Sequence, residues 1–320
     1  MPNNPDQPAI SAMGLRKSFG DQVVLGGVDL HIPAGSVFAL LGPNGAGKTV
    51  MVQILSTLIS PDGGQASIAG HDLASEPNAV RAAIGVTGQF SAVDELLNGE
   101  ENLLLMADLH HLGRKEGRRR TAALLGRFDM VDFARKPVPS YSGGMRRRLD
   151  LAMSLISNPR VVFLDEPTNG LDPRSRQTMW QIIRELAAEG VTIFLTTQYL
   201  EEADELADQI ALLDHGRLVA EGTAAELKRL IPGGHVRLEF ADAGALEAAT
   251  RLLGSSSRDG DGLSLSVPGD GSAESLRSLL NQLAAAPIPV DRLSVHTPDL
   301  DDVFLALTGT PRGTEQEIAR

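Results

Sequence analysis

The sequence predicts an α/β fold with two domains, the larger a P-loop domain that includes a helical subdomain and the smaller a C-terminal α/β domain. Up to about residue 230, short apolar runs alternate with helical patterns, and the runs lack the polar alternation of half-exposed strands. A glycine-rich loop follows the first of these runs. A breaker cluster at 231–234 then precedes a second, shorter series of strands and helices.

The strands and helices of the larger domain, residues 1–230, can be placed from hydrophobic periodicity. The predicted strands are Val37–Leu41, Val161–Leu164, Thr192–Leu195 and Ile210–Leu213. The predicted helices are Lys48–Leu58, Glu100–Leu112, Arg118–Phe128, Gly144–Ser157, Arg174–Ala188 and Leu200–Ala207. Between about 89 and 158 there is no convincing strand pattern, so we expect a helical subdomain that lies apart from the sheet.

The C-terminal domain, residues 231–309, is predicted to alternate strands and helices in a β-α-β-α-β-α order. The predicted strands are His235–Phe240, Leu263–Val267 and Val290–His296. The predicted helices are Ala245–Leu253, Ala273–Ala285 and Leu300–Leu307. A Ser/Gly/Asp-rich turn is expected at 254–262, and residues 310–320 are expected to form a frayed polar tail.

This small domain has no group of titratable residues suited to catalysis. Three aspartates at 299, 301 and 302 suggest a metal site at first sight. The apolar spacing of Leu300, Val303, Phe304 and Leu307 instead favours a capped amphipathic helix. We therefore expect an assembly or regulatory role for the domain.

The composition excludes several classes of function. The chain contains no cysteine, which rules out disulfides, thiolate zinc sites, iron–sulfur clusters and cysteine nucleophiles. Its 41 acidic and 29 basic residues give a net charge of -12, which opposes sequence-independent binding to nucleic acid. No apolar run is long enough to span a bilayer and the first residues form no leader, so we expect a cytoplasmic protein.

The first chemical motif is a phosphate-binding loop between a predicted strand and a predicted helix. It matches the pattern G-x-x-x-x-G-K-[ST]. The loop consists of Gly42, Pro43, Asn44, Gly45, Ala46, Gly47, Lys48 and Thr49. Its glycines allow backbone N–H groups to turn towards phosphate oxygens, and the following helix presents its positive end to them. We predict that Lys48 binds the β and γ phosphates and that the hydroxyl of Thr49 binds Mg²⁺.

Two further motifs supply acidic and anion-binding groups. The apolar run at 161–164 ends in Asp165 and Glu166. In this position Asp165 can reach the Mg²⁺ shell, and Glu166 can polarise an attacking water. Residues 142–144 (Ser-Gly-Gly) open a predicted helix, where a hydroxyl, N–H groups and the helix dipole can bind an anion. A single polypeptide cannot easily bind the phosphates of one nucleotide with both of these anion sites, the loop at 42–49 and residues 142–144.

Over residues 9–230 the sequence resembles the ATP-binding subunits of ABC transporters, because the family's motifs occur in the family's order. The matching residues are Phe19, Gly42–Thr49, Gln89 in Thr-Gly-Gln, the signature sequence Tyr141-Ser142-Gly143-Gly144-Met145, Asp165-Glu166 and Gly170-Leu-Asp172. Position 198, the switch position that is usually histidine in this family, is Gln198 here. The signature sequence and the segments 197–204 and 300–309 are most similar to ATPases of daunorubicin-resistance exporters, in which Gln at position 198 is usual.

The resemblance implies an ABC ATPase with ATP as its nucleotide and Mg²⁺ as its metal. It implies that Phe19 stacks on adenine, that Val50 reaches the α phosphate only through its backbone N–H, and that Asp172 takes part in nucleotide binding. The implied metal ligands are Thr49, Gln89 and Asp165. The implied catalytic residues are Glu166, Lys48 and Gln198. Because Gln198 cannot become cationic near neutral pH, we expect slow intrinsic hydrolysis. Asn169 has no predicted role.

The resemblance also implies partners. Ser142, Gly143 and Gly144 of one subunit would close over the ATP held by the P-loop of another, so ATP binding would produce a head-to-tail homodimer. A membrane permease subunit, a separate chain, would dock on the surface that begins at Gln89 and continues through Ser91–Asn98 and the following helices. Membrane contact would then be made mainly through the permease, with this chain peripheral on the inner face of the cell membrane.

Two alternative functions are weaker. A soluble ABC ATPase that acts in translation or on DNA is disfavoured because the chain has one cassette, no heptad run between Thr49 and Ser142, and a strongly negative charge. An importer ATPase is disfavoured by Gln198 and by the segment 300–309, but it is harder to exclude.

The sequence has two clusters of basic residues, at 114–120 and at Arg146–Arg148. The first is interpreted as a solvated helix start, with contact to anionic lipid headgroups as the alternative. The second directly follows the signature sequence and could add positive potential near the γ phosphate. Neither cluster contains interleaved aromatic residues, so neither predicts a nucleic-acid site.

Overall fold

The computed structural model describes residues 8–89, 92–231, 234–254, 257–258, 263–269, 273–286, 288–296 and 299–308. Ser91 of the predicted docking surface, Pro298 and the predicted tail at 310–320 lie outside the described residues. The chain divides into two compact units, Met1–Ala224 and Ala225–Arg320. Among the described helices, none combines the length and the apolar character needed to cross a bilayer.

The first unit is built from two sheets and the helices around them. Its strands are β1 (Ile10–Phe19), β2 (Gln22–Ile32), β3 (Val37–Leu41), β4 (Gly63–Ile68), β5 (His71–Asp72), β6 (Ile84–Thr87), β7 (Val161–Asp165), β8 (Thr192–Thr197), β9 (Gln209–Asp214) and β10 (Arg217–Gly222). Its helices are α1 (Lys48–Leu55), α2 (Pro77–Ala83), α3 (Gly99–Leu109), α4 (Arg114–Arg127), α5 (Gly143–Ser154), α6 (Pro173–Ala188) and α7 (Leu200–Leu206). A short helix, α8 (Ala224–Lys228), lies at the division between the units.

The six-stranded sheet has the order β10-β9-β3-β8-β7-β6. Strands β9, β3, β8, β7 and β6 are parallel, and β10 pairs antiparallel with β9 at one edge. The four strands predicted from unbroken apolar runs are confirmed, and they are the four contiguous strands β9-β3-β8-β7. Every residue of β3, β7 and β8 is buried, as expected for strands covered on both faces.

Aromatic packing joins the three central strands. The ring of Phe194 on β8 lies 5.4 Å from that of Phe38 on β3 and 5.5 Å from that of Phe163 on β7, measured between centroids. These separations are typical of stabilising aromatic pairs. The three strands whose ends carry the candidate site residues are therefore fixed to one another in the core.

The second sheet is antiparallel, with the order β2-β1-β4-β5. None of its strands was predicted. Bulges interrupt the pairing of β1 with β2 between Ala12 and Leu15 and again near Lys17, so side-chain alternation along β1 is broken. A regular two-residue hydrophobic period, the signal used for strand prediction, is lost at such positions.

The predicted helical subdomain is confirmed for the described part of 89–158, which contains α3, α4 and α5 and no strand. A capping box begins α3, with the Asn98 side chain accepting from the Glu101 N–H and the Glu101 side chain accepting from the Asn98 N–H. The helix predicted at 48–58 ends earlier, at Leu55, because Thr57 adopts a positive φ of 64°.

The second unit forms an antiparallel sheet of order β12-β13-β11-β14. Its elements are β11 (His235–Glu239), α9 (Ala243–Leu253), β12 (Ser257–Arg258), β13 (Ser264–Pro268), α10 (Ala273–Ala285), β14 (Arg292–His296) and α11 (Leu300–Thr308). Up to β14 this is a β-α-β-β-α-β arrangement. The expectation of a plain turn over 254–262 was wrong, because β12 lies there; a two-residue strand is too short to show periodicity.

The capped-helix interpretation of the C-terminal aspartates is supported by hydrogen bonds at the start of α11. The Asp302 N–H donates to Asp299 Oδ1 over 3.0 Å, and the Asp299 N–H donates to Asp302 Oδ2 over 3.1 Å. Leu300, Val303 and Phe304 are buried. Within the described part of the chain, no cluster of three or more His, Asp or Glu side chains could hold a metal ion.

Candidate nucleotide-binding and hydrolysis site

The P-loop connects the buried strand β3 to the first turn of α1. Gly47, at the N-cap of α1, has a φ of 109°, a value that side chains other than glycine rarely allow. A Cβ atom at this position would also lie 2.9 Å from Leu25 Cδ2. The loop therefore requires glycine here both for its backbone conformation and for its contact with β2.

The ammonium group of Lys48 is enclosed by the loop. Lys48 is 5% exposed, and its Nζ donates to Gly42 O over 2.8 Å and to Pro43 O over 3.1 Å. Its Nζ lies 3.9 Å from Glu166 Oε1. Burial lowers the pKa of Lys48, and the negative charges of Glu166 and Asp165 oppose that effect. The P-loop lysine and the candidate catalytic carboxylate are thus neighbours.

Asp165 and Glu166 lie at the carboxyl end of β7, beside the end of β8. Asp165 is buried, and its Oδ1 accepts a hydrogen bond from Thr196 Oγ1. Glu166 has a φ of 50°, and its N–H donates to both Thr196 O and Thr196 Oγ1 over 3.1 Å. One threonine on the neighbouring strand, a residue that the sequence motifs did not identify, therefore positions the carboxylate of Asp165 and the backbone of Glu166.

The side chain of Glu166 has a second partner. Asn169 Nδ2 donates to Glu166 Oε2 over 3.0 Å, and the Tyr199 hydroxyl donates to Asn169 Oδ1 over 3.4 Å. Tyr199 directly follows Gln198 in the chain. Asn169, which had no predicted role, therefore connects the carboxylate of Glu166 to the segment that contains the switch position.

Parallel strand order brings the predicted site residues to one edge of the sheet. The P-loop follows β3, Gln198 follows β8, Asp165 ends β7, and Gln89 follows β6 closely. These strands are neighbours in the order β3-β8-β7-β6, and the carboxyl ends of parallel strands lie at the same edge. Gln89 and Thr49 are exposed, and Gln198 and Val50 are half-buried.

The oxygen donors at this edge suit the predicted metal. Thr49 supplies a hydroxyl, Gln89 an amide oxygen and Asp165 a carboxylate, all of them hard ligands. Mg²⁺ is usually held by one or two carboxylates together with phosphates and water, so a cluster of protein carboxylates is not needed. The residues present therefore fit a Mg²⁺ ion that arrives with a nucleotide.

The adenine-stacking candidate, Phe19, lies at the end of β1 and is 51% exposed. Lys17 Nζ lies 5.5 Å from the centroid of its ring, close enough for a cation–π contact. An aromatic ring with so much of its surface in solvent is available for stacking.

The signature residues form the start of α5. Ser142 is the N-cap, and its Oγ accepts from the Met145 N–H over 3.2 Å. Ser142 and Gly143 are exposed. A Cβ atom at Gly144 would lie 2.5 Å from Ser175 Oγ, so this glycine is needed for close packing of α5 on α6.

Asp172, predicted to take part in nucleotide binding, is the N-cap of α6. Its carboxylate accepts from Ser175 Oγ over 2.6 Å and from the Ser175 N–H over 3.0 Å. These hydrogen bonds lower the pKa of Asp172. The structure thus gives Asp172 a local capping role next to Gly144, and its contact with nucleotide stays a prediction.

The three arginines after the signature sequence point in different directions. Arg146 Nη1 donates to Glu95 Oε1 over 2.9 Å, and Arg148 Nη1 donates to Phe128 O over 2.9 Å. Arg147 is turned inward against the backbone at the end of β7. The role of this cluster in adding positive potential near the γ phosphate stays a prediction, and the N–H groups of Arg147 are all bonded to protein oxygens.

Comparison with known proteins decides the family. A family model described as ABC transporter matches residues 25–169. The daunorubicin resistance ATP-binding protein DrrA3 of Streptomyces coeruleorubidus is 49% identical over 310 residues, covering 96% of this chain and 98% of that protein. The daunorubicin/doxorubicin resistance ATP-binding protein DrrA of Streptomyces peucetius is 46% identical over 316 residues, 96% of each protein. The chain belongs to the ATP-binding subunits of ABC transporters.

A solved structure of an ATP-binding subunit of an ABC transporter supports the assignment. It matches this chain with a TM-score of 0.63 at 29% sequence identity and covers 69% of this chain and 92% of that one. ABC ATP-binding subunits bind and hydrolyse ATP to power transport. The protein is accordingly an ABC ATPase subunit with a P-loop NTPase fold, as the resemblance implied.

One buried carboxylate of this ABC subunit was not predicted as important. Glu202 on α7 is completely buried, and its Oε1 accepts from Thr168 Oγ1 over 2.8 Å and from Trp180 Nε1 over 3.0 Å. It therefore connects the segment after Glu166 to α6. Burial raises the pKa of Glu202. Its run of neighbours, Leu-Glu-Glu-Ala-Asp, gives no sign of burial because an acidic run usually marks a solvated surface.

The raised pKa predicts a pH-dependent difference between the wild type and Glu202→Gln, which keeps the acceptor oxygen. Because native Glu202 binds its proton more tightly than the unfolded chain does, the free energy of unfolding of the wild type should fall relative to the variant as pH rises. The fall is about 1.4 kcal/mol for each unit of pKa difference. Urea unfolding from pH 5 to pH 8, followed by the fluorescence of the single tryptophan, Trp180, measures it. A constant difference across this range would contradict the prediction.

Proposed function

We propose that the chain is the energy-coupling subunit of an ABC exporter of drugs or other hydrophobic compounds. It works as a head-to-tail homodimer docked on a separate membrane permease subunit. The observation that best supports ATP hydrolysis is the distance of 3.9 Å between Lys48 Nζ and Glu166 Oε1. It brings the proposed phosphate-binding and hydrolytic groups together. The names of the two Streptomyces relatives favour drug export over import.

ATP is the substrate of this site. Phe19 stacks on adenine, the backbone N–H groups of the non-proline residues in 42–50 bind the phosphates, and Lys48 neutralises charge at the β and γ phosphates. Glu166 accepts a hydrogen bond from the attacking water and orients it, while Gln198 donates to the γ phosphate. Most of the rate enhancement then comes from positioning and from charge neutralisation.

Thr49, Gln89 and Asp165 would hold Mg²⁺ with the nucleotide. When bound, Mg²⁺ supplies charge neutralisation at the phosphate oxygens. The burial of Asp165 and its hydrogen bond from Thr196 fix one carboxylate oxygen, so the orientation of this ligand is set before the nucleotide arrives.

Dimerisation brings Ser142, Gly143 and Gly144 of one subunit over the ATP of the other. Exposure of Ser142 and Gly143 at a helix N-terminus favours this role, because their hydroxyl and N–H groups face outward. Each ATP is then held by the P-loop of one chain and by the signature residues of its partner, which explains why one chain has two anion sites.

The permease docks on the helical subdomain next to Gln89. Leu96, within this surface, is 94% exposed and Leu109, at the end of α3, is 63% exposed, and burial of each side chain against another protein would be favourable. The chain is then cytoplasmic and peripheral on the inner face of the cell membrane. The C-terminal domain, residues 231–309, serves assembly or regulation of the complex.

Replacement of the proposed base tests the enzymatic assignment. Glu166→Gln should lower kcat by roughly 10²- to 10⁴-fold, because an amide cannot accept a proton from the attacking water. ATP should remain bound, since the P-loop is unchanged. The measurements are steady-state phosphate release and the dissociation constant of a fluorescent ATP analogue. The same exchange at the exposed Glu189, at the end of α6, serves as a matched control. Normal turnover by Glu166→Gln would exclude Glu166 as the base.

The switch position generates a second prediction. Gln198→His should raise kcat, because a histidine can carry positive charge towards the γ phosphate at or below neutral pH. Phosphate release at pH 6.5 and pH 8.0 measures the gain, which should be larger at the lower pH. Gln181→His on the exposed face of α6 controls for the added imidazole. An unchanged or lower kcat would instead indicate that glutamine is the residue to which this site is adapted.

Removal of residues 232–320 tests the role of the C-terminal domain. The truncated chain should bind the fluorescent ATP analogue like the full chain but should recover much less permease from detergent-solubilised membranes of the native host. Mass spectrometry of the co-purified proteins would quantify and identify the permease. Equal loss of nucleotide binding and of permease recovery would contradict an assembly role.

A further inference from the structure

Arg147 on α5 is bonded to the backbone of the catalytic turn. Its side chain is 11% exposed. Arg147 Nε donates to Pro167 O over 2.9 Å, and Nη2 donates to Asp165 O over 2.9 Å and to Glu166 O over 3.1 Å. Three successive carbonyl groups at and after the end of β7 are therefore held by one guanidinium group.

The same guanidinium group also reaches the loop that carries Gln89. Arg147 Nη1 donates to Gly88 O over 2.8 Å and to Asp150 Oδ2 over 3.4 Å. Asp150, on the same face of α5, accepts from the Ala92 N–H through Oδ1 over 3.1 Å. The residues on both sides of Gln89 are thus anchored to α5, one through Arg147 and one through Asp150.

The five N–H donors of Arg147 are all used in these contacts. A buried guanidinium group is costly to desolvate, and burial accordingly lowers the pKa of Arg147 while the nearby carboxylates oppose the shift. Four of its acceptors are backbone carbonyls of two different loops. Loss of the arginine would leave these carbonyls without their partner, and the two loops would lose their common support.

We infer that Arg147, assisted by Asp150, is a positioning residue that couples the signature helix to the Gln89 loop and to the Glu166 turn of the same subunit. This inference rests on the proposed function, in which Glu166 and Gln89 act on ATP. Helix α5 begins at Gly143, about one helical turn before Arg147. In the homodimer, the helix whose N-terminus contacts one ATP therefore sets the catalytic residues that act on the other ATP.

Kinetics of Arg147→Gln provide the main test. Misplacement of Glu166 should lower kcat by roughly 10- to 100-fold. The dissociation constant of the fluorescent ATP analogue should stay within about a factor of three, because the P-loop is not touched. In a Glu166→Gln background, Arg147→Gln should lower kcat by a smaller factor than in the wild type, since one of the groups that it positions is already absent. A folded Arg147→Gln variant with wild-type kcat, or with full additivity in this cycle, would overturn the inference.

Two further variants separate positioning from charge and from general stability. Arg147→Lys keeps the buried charge but lacks the planar fork, so it should stay impaired; full recovery of kcat would mean that charge alone matters. Arg148→Gln removes the hydrogen bond to Phe128 O and leaves the catalytic turn untouched. It should lower the melting temperature without a selective loss of kcat. If Arg148→Gln lowered kcat as much as Arg147→Gln does, Arg147 would be only a structural support.

Hydrogen–deuterium exchange gives a readout that does not depend on hydrolysis. Arg147→Gln or Arg147→Lys should speed amide exchange in peptides that contain Gly88–Ala92 and Asp165–Asn169, and Arg148→Gln should not. If the wild type proved unable to hydrolyse ATP, the proposed function would be wrong. The exchange rates would still show whether Arg147 couples α5 to the two segments. Unchanged exchange in both peptides would overturn the coupling even if kcat fell.

Discussion

The proposed hydrolytic half of the site depends on the hydroxyl group of Thr196. Parallel pairing of β7 with β8 places Thr196 directly beside Asp165. The hydroxyl donates to the Asp165 carboxylate and accepts from the Glu166 N–H. Because Thr196 is fully buried, water cannot replace either bond, and a slip of one residue in this register would separate the metal-ligand candidate from its support. The apolar strands of the core, by fixing this register, position polar residues at their ends.

The turn after β7 has an unfavourable backbone conformation that its neighbours stabilise. A non-glycine residue with a φ of 50°, such as Glu166, costs on the order of 1–3 kcal/mol. The N–H of Glu166 is bonded to Thr196, its carbonyl group to Arg147 and its side chain to Asn169. These three bonds come from a strand, a helix and the turn itself. The conformation of Glu166 therefore depends on contacts with distant elements of the first unit and not only on the short Asp-Glu motif.

The difference between local sequence patterns and contacts between distant elements explains what the sequence could predict. Buried runs such as Val37–Leu41 and the P-loop are local patterns, and the structure has them where expected. The roles of Thr196, Asn169 and Arg147 depend on contacts between elements that are far apart in the chain or on which way a side chain points. Successive residues of a helix point about 100° apart, so three adjacent arginines in one cluster can have three unrelated partners. Composition and spacing carry no signal for that difference.

Helix α5 consequently has two constraints, one at its exposed N-terminus and one at the largely buried Arg147. Its exposed N-terminus must keep Ser142 and Gly143 open to a nucleotide, while Gly144 must remain small because Ser175 lies against it. One turn later, the helix must keep Arg147 directed at the carbonyl groups of the catalytic turn. A rotation of α5 that improved one contact would disturb the other. In the proposed homodimer the helix connects two ATP sites, and its short signature sequence reflects packing as well as the proposed phosphate contact.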